Sequence, residues 1–228
     1  STDDVVTVPK VIESLQTARV VSVAAGIDFS LVLMAEGHLY SFGCNDFGEL
    51  GLGHTTRVNV PQRVHGFDDV VTSVSAGFAH SAAITTGGRL WCWGNNGRGQ
   101  LGHGDTTTRT RPTAVVSTAQ MTVKLIAAGY SSTLLVDADD AIWMTGMLRG
   151  GGPSSTTTFT RVRIPGTPSR PPLRFVAVCL GFQHALAVTT DGGLFTWGKG
   201  DDGALGHGTT ESNDVPTEVH ALKNTHIT

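Results

Sequence analysis

Histidines and glycine-rich turns are the residues of this chain whose types and spacing could do chemistry. His80 and His184 each close a Gly-x-x-His step, and His103 and His207 each sit in Leu-Gly-His-Gly. A metal site wants ligands a few residues apart, as in His-x-x-x-His. None of these pairs has that spacing. Each recurs inside a longer repeated phrase, and a repeating residue is usually a repeating packing device. His80 and His184 are therefore expected to be satisfied within their own segments. Gly97–Gly102 reads Gly-Arg-Gly-Gln-Leu-Gly and fits Gly-x-Gly-x-x-Gly. A dinucleotide fingerprint needs a strand before it and a helix after it. Here the same turn recurs as Gly48-Glu49-Leu50-Gly51 and Gly203-Ala204-Leu205-Gly206, so it is turn chemistry. There is no phosphate loop, and no Ser or Cys nucleophile has a base nearby in sequence. No catalytic residue, cofactor site or metal site is expected.

What positions these residues is a fourfold repeat. Four β-branched runs end in Gly26, Gly77, Gly129 and Gly181, at spacings of 51, 52 and 52. An aromatic-Gly step follows in register at Phe42-Gly43, Trp93-Gly94 and Trp197-Gly198, with Thr145-Gly146 in the third repeat. Leu-Gly-x-Gly recurs at Leu50, Leu101 and Leu205, and Pro-x-x-Val at Pro61, Pro112 and Pro216. Each repeat holds two apolar runs around a turn, at Glu36-Gly37, Gly87-Gly88, Asp139-Asp140 and Asp191-Gly192. That is the pattern of a β-hairpin. The third repeat offers the poorest turn. A period near 50 made only of strands means radial repetition, a β-propeller of four-stranded antiparallel blades. The expected division is 1–20 as the end of a preceding repeat, then 21–71, 72–123, 124–175 and 176–228, the last including the start of a further strand.

Composition agrees with this reading. Of 228 residues, 29 are Gly, Thr is about as common, and only 15% are charged. Such usage disfavours a helical bundle and favours short strands joined by tight turns. The net charge of −3 argues against a nucleic-acid footprint. No apolar run approaches the ~18 residues of a membrane span. Cys44, Cys92 and Cys179 are odd in number and form no Cys-x-x-Cys pair, so each is expected to be a small reduced core residue of an intracellular protein, cytoplasmic or nuclear.

The phrase Val74 to Asp105, with Ala-Gly-x-x-His-Ser, Trp-Gly-x-Asn and Gly-Gln-Leu-Gly-x-Gly, resembles the repeat of the regulator of chromosome condensation family. The first and fourth repeats match well, the third only in its first half. The resemblance covers roughly residues 20 to 220. It implies a ring of seven blades, of which about four and a half repeats are present. Three arrangements are open: a fragment of a longer chain, an arc completed by another molecule, and a closed four-bladed ring.

The aromatic column Phe42, Trp93 and Trp197 is expected to be structural. Thr145 should loosen the third blade, with Trp143 compensating. Positions that vary between matching repeats are the candidate partner-binding residues. One column is Asp28, Ala79, Ser131 and Gln183, placed on loops of one face, where binding residues collect. The stretches after each aromatic-Gly step, 44–47, 95–98, 147–150 and 199–202, vary too. The bland alternative is solvent exposure. In the third repeat the Leu-Gly-x-Gly phrase is lost. Five arginines, Arg149, Arg161, Arg163, Arg170 and Arg174, lie between Ala141 and Thr190 with no lysine or acid. Arg149, Arg161 and Arg163 complete the candidate set, since arginine suits protein interfaces.

Two functions compete. The first is a non-catalytic interaction scaffold, docking a protein partner or subunits of a larger assembly through face loops. The second, implied by the founding family member, is guanine-nucleotide exchange on a Ran-like small GTPase, with Asp28 engaging the GTPase. A catalytic propeller ranks third. The tryptophan clustering of the family's ultraviolet photoreceptor is not evident in Trp91, Trp93, Trp143 and Trp197. Nucleic acid is not expected as a direct ligand, and neither is a membrane.

Overall fold

A computed structural model describes residues 8–148, 155–165 and 173–222. The four repeats form four separate antiparallel sheets of four strands each. Blade 1 holds β1 (Val20–Ala25), β2 (Phe29–Met34), β3 (Leu39–Gly43) and β4 (Val58–Arg63). Blade 2 holds β5 (Val71–Ala76), β6 (His80–Thr85), β7 (Arg89–Gly94) and β8 (Arg109–Ala114). Blade 3 holds β9 (Val123–Ala128), β10 (Ser132–Asp137), β11 (Ile142–Gly146) and β12 (Thr156–Arg161). Blade 4 holds β13 (Phe175–Leu180), β14 (His184–Thr189), β15 (Leu194–Gly198) and β16 (Asn213–Glu218). Strands follow chain order within each sheet, and β1, β5, β9 and β13 adjoin one another along the inner edge. This is a propeller arc, as the strand-only period requires.

Residues 8–19 contain no strand. The 3-10 turn Glu13–Leu15 carries a Leu15 N–H bond to the Ile12 carbonyl. The same bond runs from Thr118 to Val115 and from Leu222 to Val219, just after β8 and β16. Residues 226–228, read as the start of a further strand, lie outside the described residues.

A sheet with two apolar faces cannot bury both alone, so the core lies between blades. Leu31, Leu33 and Leu39 of blade 1 pack against Trp91 and Trp93 of blade 2. Ala82, Leu90 and Cys92 of blade 2 pack with Leu135 and Phe159 of blade 3. Leu134, Val136 and Ile142 of blade 3 meet Phe175, Phe195 and Trp197 of blade 4. The inner edge is laced by Ala128 N–H to Ser75 Oγ at 2.9 Å and Phe78 N–H to the Gly129 carbonyl at 3.0 Å.

The third blade solves its two sequence defects with local substitutes. Its hairpin turn has Asp140 at φ 63°, where the other turns use glycine at positive φ. Asp137 holds it, accepting from Asp139 N–H at 3.0 Å, Ala141 N–H at 2.8 Å and Trp143 Nε1–H at 2.7 Å. Trp143 is thereby tied to the turn and packs at the margin of the core between blades 2 and 3. Phe159 lies beside Thr145 against Gly102, at the position where the other blades carry Pro61, Pro112 and Pro216. Thr145 is itself buried, with its hydroxyl within hydrogen-bond distance of the Gly99 and Thr156 carbonyls at 2.9 and 3.0 Å. The cysteines divide: Cys92 is core, Cys44 is half-buried and Cys179 is exposed, so only one of the three is the core residue expected.

Candidate functional site: the loop face and the blade joints

In blades 1 and 2 the third strand ends in a loop that reaches across to the next blade. Asn45 organises the loop of blade 1: its Oδ1 accepts from Leu50 N–H at 3.0 Å, and its amide donates to the His54 and Thr56 carbonyls. Asn96 does the same in blade 2, with Leu101 N–H at 3.0 Å and the Asp105 and Thr107 carbonyls. Both asparagines are fully buried. Although they fall in the variable stretches read as partner-facing, they are structural.

The loops then dock. The Glu49 carbonyl accepts from Trp93 Nε1–H and from Ser81 Oγ–H, both at 2.8 Å. Leu50 and Leu101 are wholly buried. Gly53 N–H bonds the Thr110 carbonyl at 2.8 Å, and Gly104 N–H bonds the Thr157 carbonyl at 2.7 Å. The aromatic column is thus a joint device at Trp93, with a polar handle as well as area.

His80 belongs to a joint too. Its partner is Thr133 of blade 3 at 2.9 Å, not a group of its own blade as expected. The Thr133 hydroxyl proton goes to the Gln100 carbonyl at 2.6 Å. His80 must therefore donate from Nε2, which makes it the Nε2–H tautomer with Nδ1 buried and unpaired. Burial pushes its pKa down to about 4, so it is neutral near pH 7. His103 Nε2 lies 3.3 Å from the Cys92 carbonyl, and His207 Nε2 lies 3.1 Å from Thr196 Oγ1. Among the described residues no group of three His, Cys, Asp or Glu could hold a metal.

The variable column lies at four equivalent places on one face. The carbonyls of Asp28, Ala79, Ser131 and Gln183 accept from Cys44, Asn95, Met147 and Lys199 N–H at 2.7, 2.8, 2.7 and 2.8 Å. Asp28 is exposed, and Ser131 and Gln183 are partly so. Ala79 is only 4% exposed, so its side chain is not available to a partner, and that candidate is withdrawn. Ser131 and Gln183 come together with Arg98, Tyr130, Met147 and Phe182 around a concavity of about 210 Å³. Residues from both variable stretches thus meet in one place.

An aromatic ladder runs beside it. Phe78 and Tyr130 pack with ring centroids 4.4 Å apart and planes tilted by 54°, and Tyr130 and Phe182 at 4.2 Å and 57°. Phe182 is 60% exposed, and Ile27, the equivalent residue of blade 1, 59%. The signal was in the sequence: each repeat places a large apolar residue directly after its conserved-register glycine. Arg161 and Arg163 are exposed but line other cavities, between blades 3 and 4. Arg149 lies outside the described residues.

Four radial sheets with adjoining inner strands, and loops bridging the first two joints, define a β-propeller arc. The family model of the RCC1-like domain matches residues 1–228, and the chain belongs to that family. It is 30% identical over 224 residues to the ultraviolet-B receptor UVR8 of Arabidopsis thaliana, covering 96% of this chain and 50% of that protein. It is 30% identical over 182 residues to the secretion-regulating guanine nucleotide exchange factor of Mus musculus, covering 75% of this chain and 37% of that protein. The crystal structure of human WBSCR16 superposes with a TM-score of 0.81 at 27% identity, over 89% of this chain and 53% of that one. Yeast RCC1 (Prp20), in its complex with Kap60, superposes with a TM-score of 0.77 at 24% identity, over 96% of this chain and 52% of that one. The chain spans half the length, or less, of these curated relatives. Among the described residues no helix is long and apolar enough to cross a membrane.

Proposed function

We propose that this chain is a non-catalytic interaction module that binds a protein partner through the loop face. The observation that carries this reading is the concavity of Arg98, Tyr130, Ser131, Met147, Phe182 and Gln183, continuous with the exposed aromatic ladder. Exposed aromatics beside an arginine, on loops held by rigid strands, have the composition of an interface centre. The partner is a protein presenting apolar side chains with acidic or polar neighbours. A photocrosslinking amino acid at Gln183 is expected to capture it, while the same group at Asp191, in the hairpin turn between β14 and β15 at the other end of blade 4, captures nothing. Equal capture from both positions overturns the reading.

Guanine-nucleotide exchange on a Ran-like small GTPase is the second reading. It is favoured by the likeness to the secretion-regulating exchange factor and by the exposed carboxylate of Asp28 on this face. Loops of the face would bind the nucleotide-free GTPase better than the loaded one and so shift its equilibrium. Release of a fluorescent GDP analogue, measured across small GTPases with the full chain and with Asp28→Ala, tests it. Acceleration of tenfold or more that Asp28→Ala removes supports exchange. No acceleration leaves scaffolding alone.

A further inference from the structure

The aromatic ladder of the loop face is a single row of rings. Phe78, Tyr130 and Phe182 each directly follow the glycine at the end of an inner strand. Their planes are tilted by 54° and 57°, and Tyr130 is 37% and Phe182 60% exposed, so the rings turn part of their faces to solvent. Three rings at these separations span no more than one turn of a polyproline II helix, about 9 Å. The polar side chains beside the row are rich in donors. Arg98 is exposed, can only donate, and pairs with no described carboxylate. The Tyr130 and Ser131 hydroxyls and the Gln183 amide can donate too. Among the described residues none of these four side chains has a hydrogen-bond partner. The main-chain carbonyls of the face are already engaged. Those of Ala79, Ser131 and Gln183 accept from Asn95, Met147 and Lys199 N–H, and that of Gly129 from Phe78 N–H. The face therefore offers a partner ring faces and hydrogen-bond donors.

We propose that the row receives a proline-rich segment of the partner, ending in an acidic residue that meets Arg98. This rests on the loop-face reading above and names the chemistry of its partner. Proline carries a carbonyl and no N–H. Such a segment supplies acceptors to the donors of the face and brings no donor for the engaged carbonyls to leave unpaired. Its apolar rings lie on the aromatic faces, as extended proline segments do in aromatic-lined grooves. Its shape exists before binding, so little ordering entropy is lost. Charge sets its direction. The carboxylate takes charge-assisted bonds from the Arg98 guanidinium, and the prolines run along Tyr130, Phe182 and Phe78. A helix keeps its carbonyls for its own hydrogen bonds and leaves the donors of this face idle.

The probe is a labelled peptide, Pro-Pro-Pro-Pro-Pro-Glu-Glu, titrated with the full chain and read by fluorescence anisotropy. The expected Kd is in the range of about 10–1,000 μM. Alanines in place of the prolines, or lysines in place of the glutamates, should weaken binding at least tenfold. Phe182→Ala should do the same, whereas Val116→Ser, at a residue 82% exposed beyond the far end of β8, should not. Arg98→Glu should reverse the preference, so that the lysine peptide binds better than the glutamate peptide. A gained preference cannot come from misfolding. Absence of saturable binding, or indifference to Phe182→Ala or to the charge of residue 98, overturns the proposal. Equal binding of the alanine peptide does so too, and points to a helical occupant. So does a dimer in sedimentation that Phe182→Ala abolishes, because a second copy would then cover the row. Partner capture at Gln183 but not at Asp191, with no peptide binding, strikes this inference alone and leaves the docking face standing. Equal capture at both positions strikes the two together.

Discussion

Burial holds His80 neutral, and the cost appears when the pH falls. Its pKa drops from an ordinary 6.5 to about 4 in the folded chain. A base with a depressed folded pKa binds fewer protons folded than unfolded. Its full stabilisation is present above pH 6.5 and is lost as the pH falls toward 4. At about 1.4 kcal/mol per unit, the loss amounts to roughly 3 kcal/mol. Urea denaturation of the native chain and of His80→Gln at several pH values should show the slope in the former and its reduction in the latter. Parallel curves would mean that His80 does not titrate in this way. Trp93 permits a second residue-scale test. Trp93→Phe keeps most of the area and removes the bond to the Glu49 carbonyl, which Ser81 still serves. The loss should be about 1 kcal/mol, against about 3–5 kcal/mol for Trp93→Ala.

At the scale of the element, the docked loop is the unit that joins blades. Gly99 and Gly203 occupy equivalent turns with the same φ of 76°. A Cβ on Gly99 would lie 2.5 Å from the Thr156 carbonyl oxygen of β12, whereas one on Gly203 meets nothing within 4 Å. Alanine at either position suffers the same backbone penalty, so the difference isolates docking. Gly99→Ala should destabilise by about 1–3 kcal/mol more than Gly203→Ala in chemical denaturation. Equal losses would show that the loop does not rest on β12. Asn96→Ala should cost about 2–4 kcal/mol, because it leaves a buried N–H and two carbonyls short of a partner.

The whole molecule is quasi-one-dimensional, each blade touching its neighbours along the arc. Both joints of blade 2 carry a docked loop, one from blade 1 and one of its own, and all six residues of its β6 are buried. In β14 of blade 4 burial alternates between buried and half-buried. Amide exchange should therefore be slowest in β6 and markedly faster in β14, by tenfold or more, since protection follows local opening. Uniform protection across the four blades would mean that the arc opens as one unit.

Strand count, hairpins and repeat register were legible in the primary structure, because glycine, aromatic and leucine columns at a constant spacing have few other physical meanings. The turns followed from residues that tolerate positive φ, even Asp140. The loss of a phrase in the third repeat was visible too. What that loss does at the joint was not, since it depends on which residues of the next blade face the loop. The same reason hid the partner of His80: Thr133 lies 53 residues away and on another sheet. Variability alone could not separate Ala79, turned into the core, from Asp28, turned to solvent, because a loop column shares its backbone position but not its side-chain surroundings. Periodicity is a local property of the chain, whereas burial and contact between blades arise only when the sheets are packed side by side.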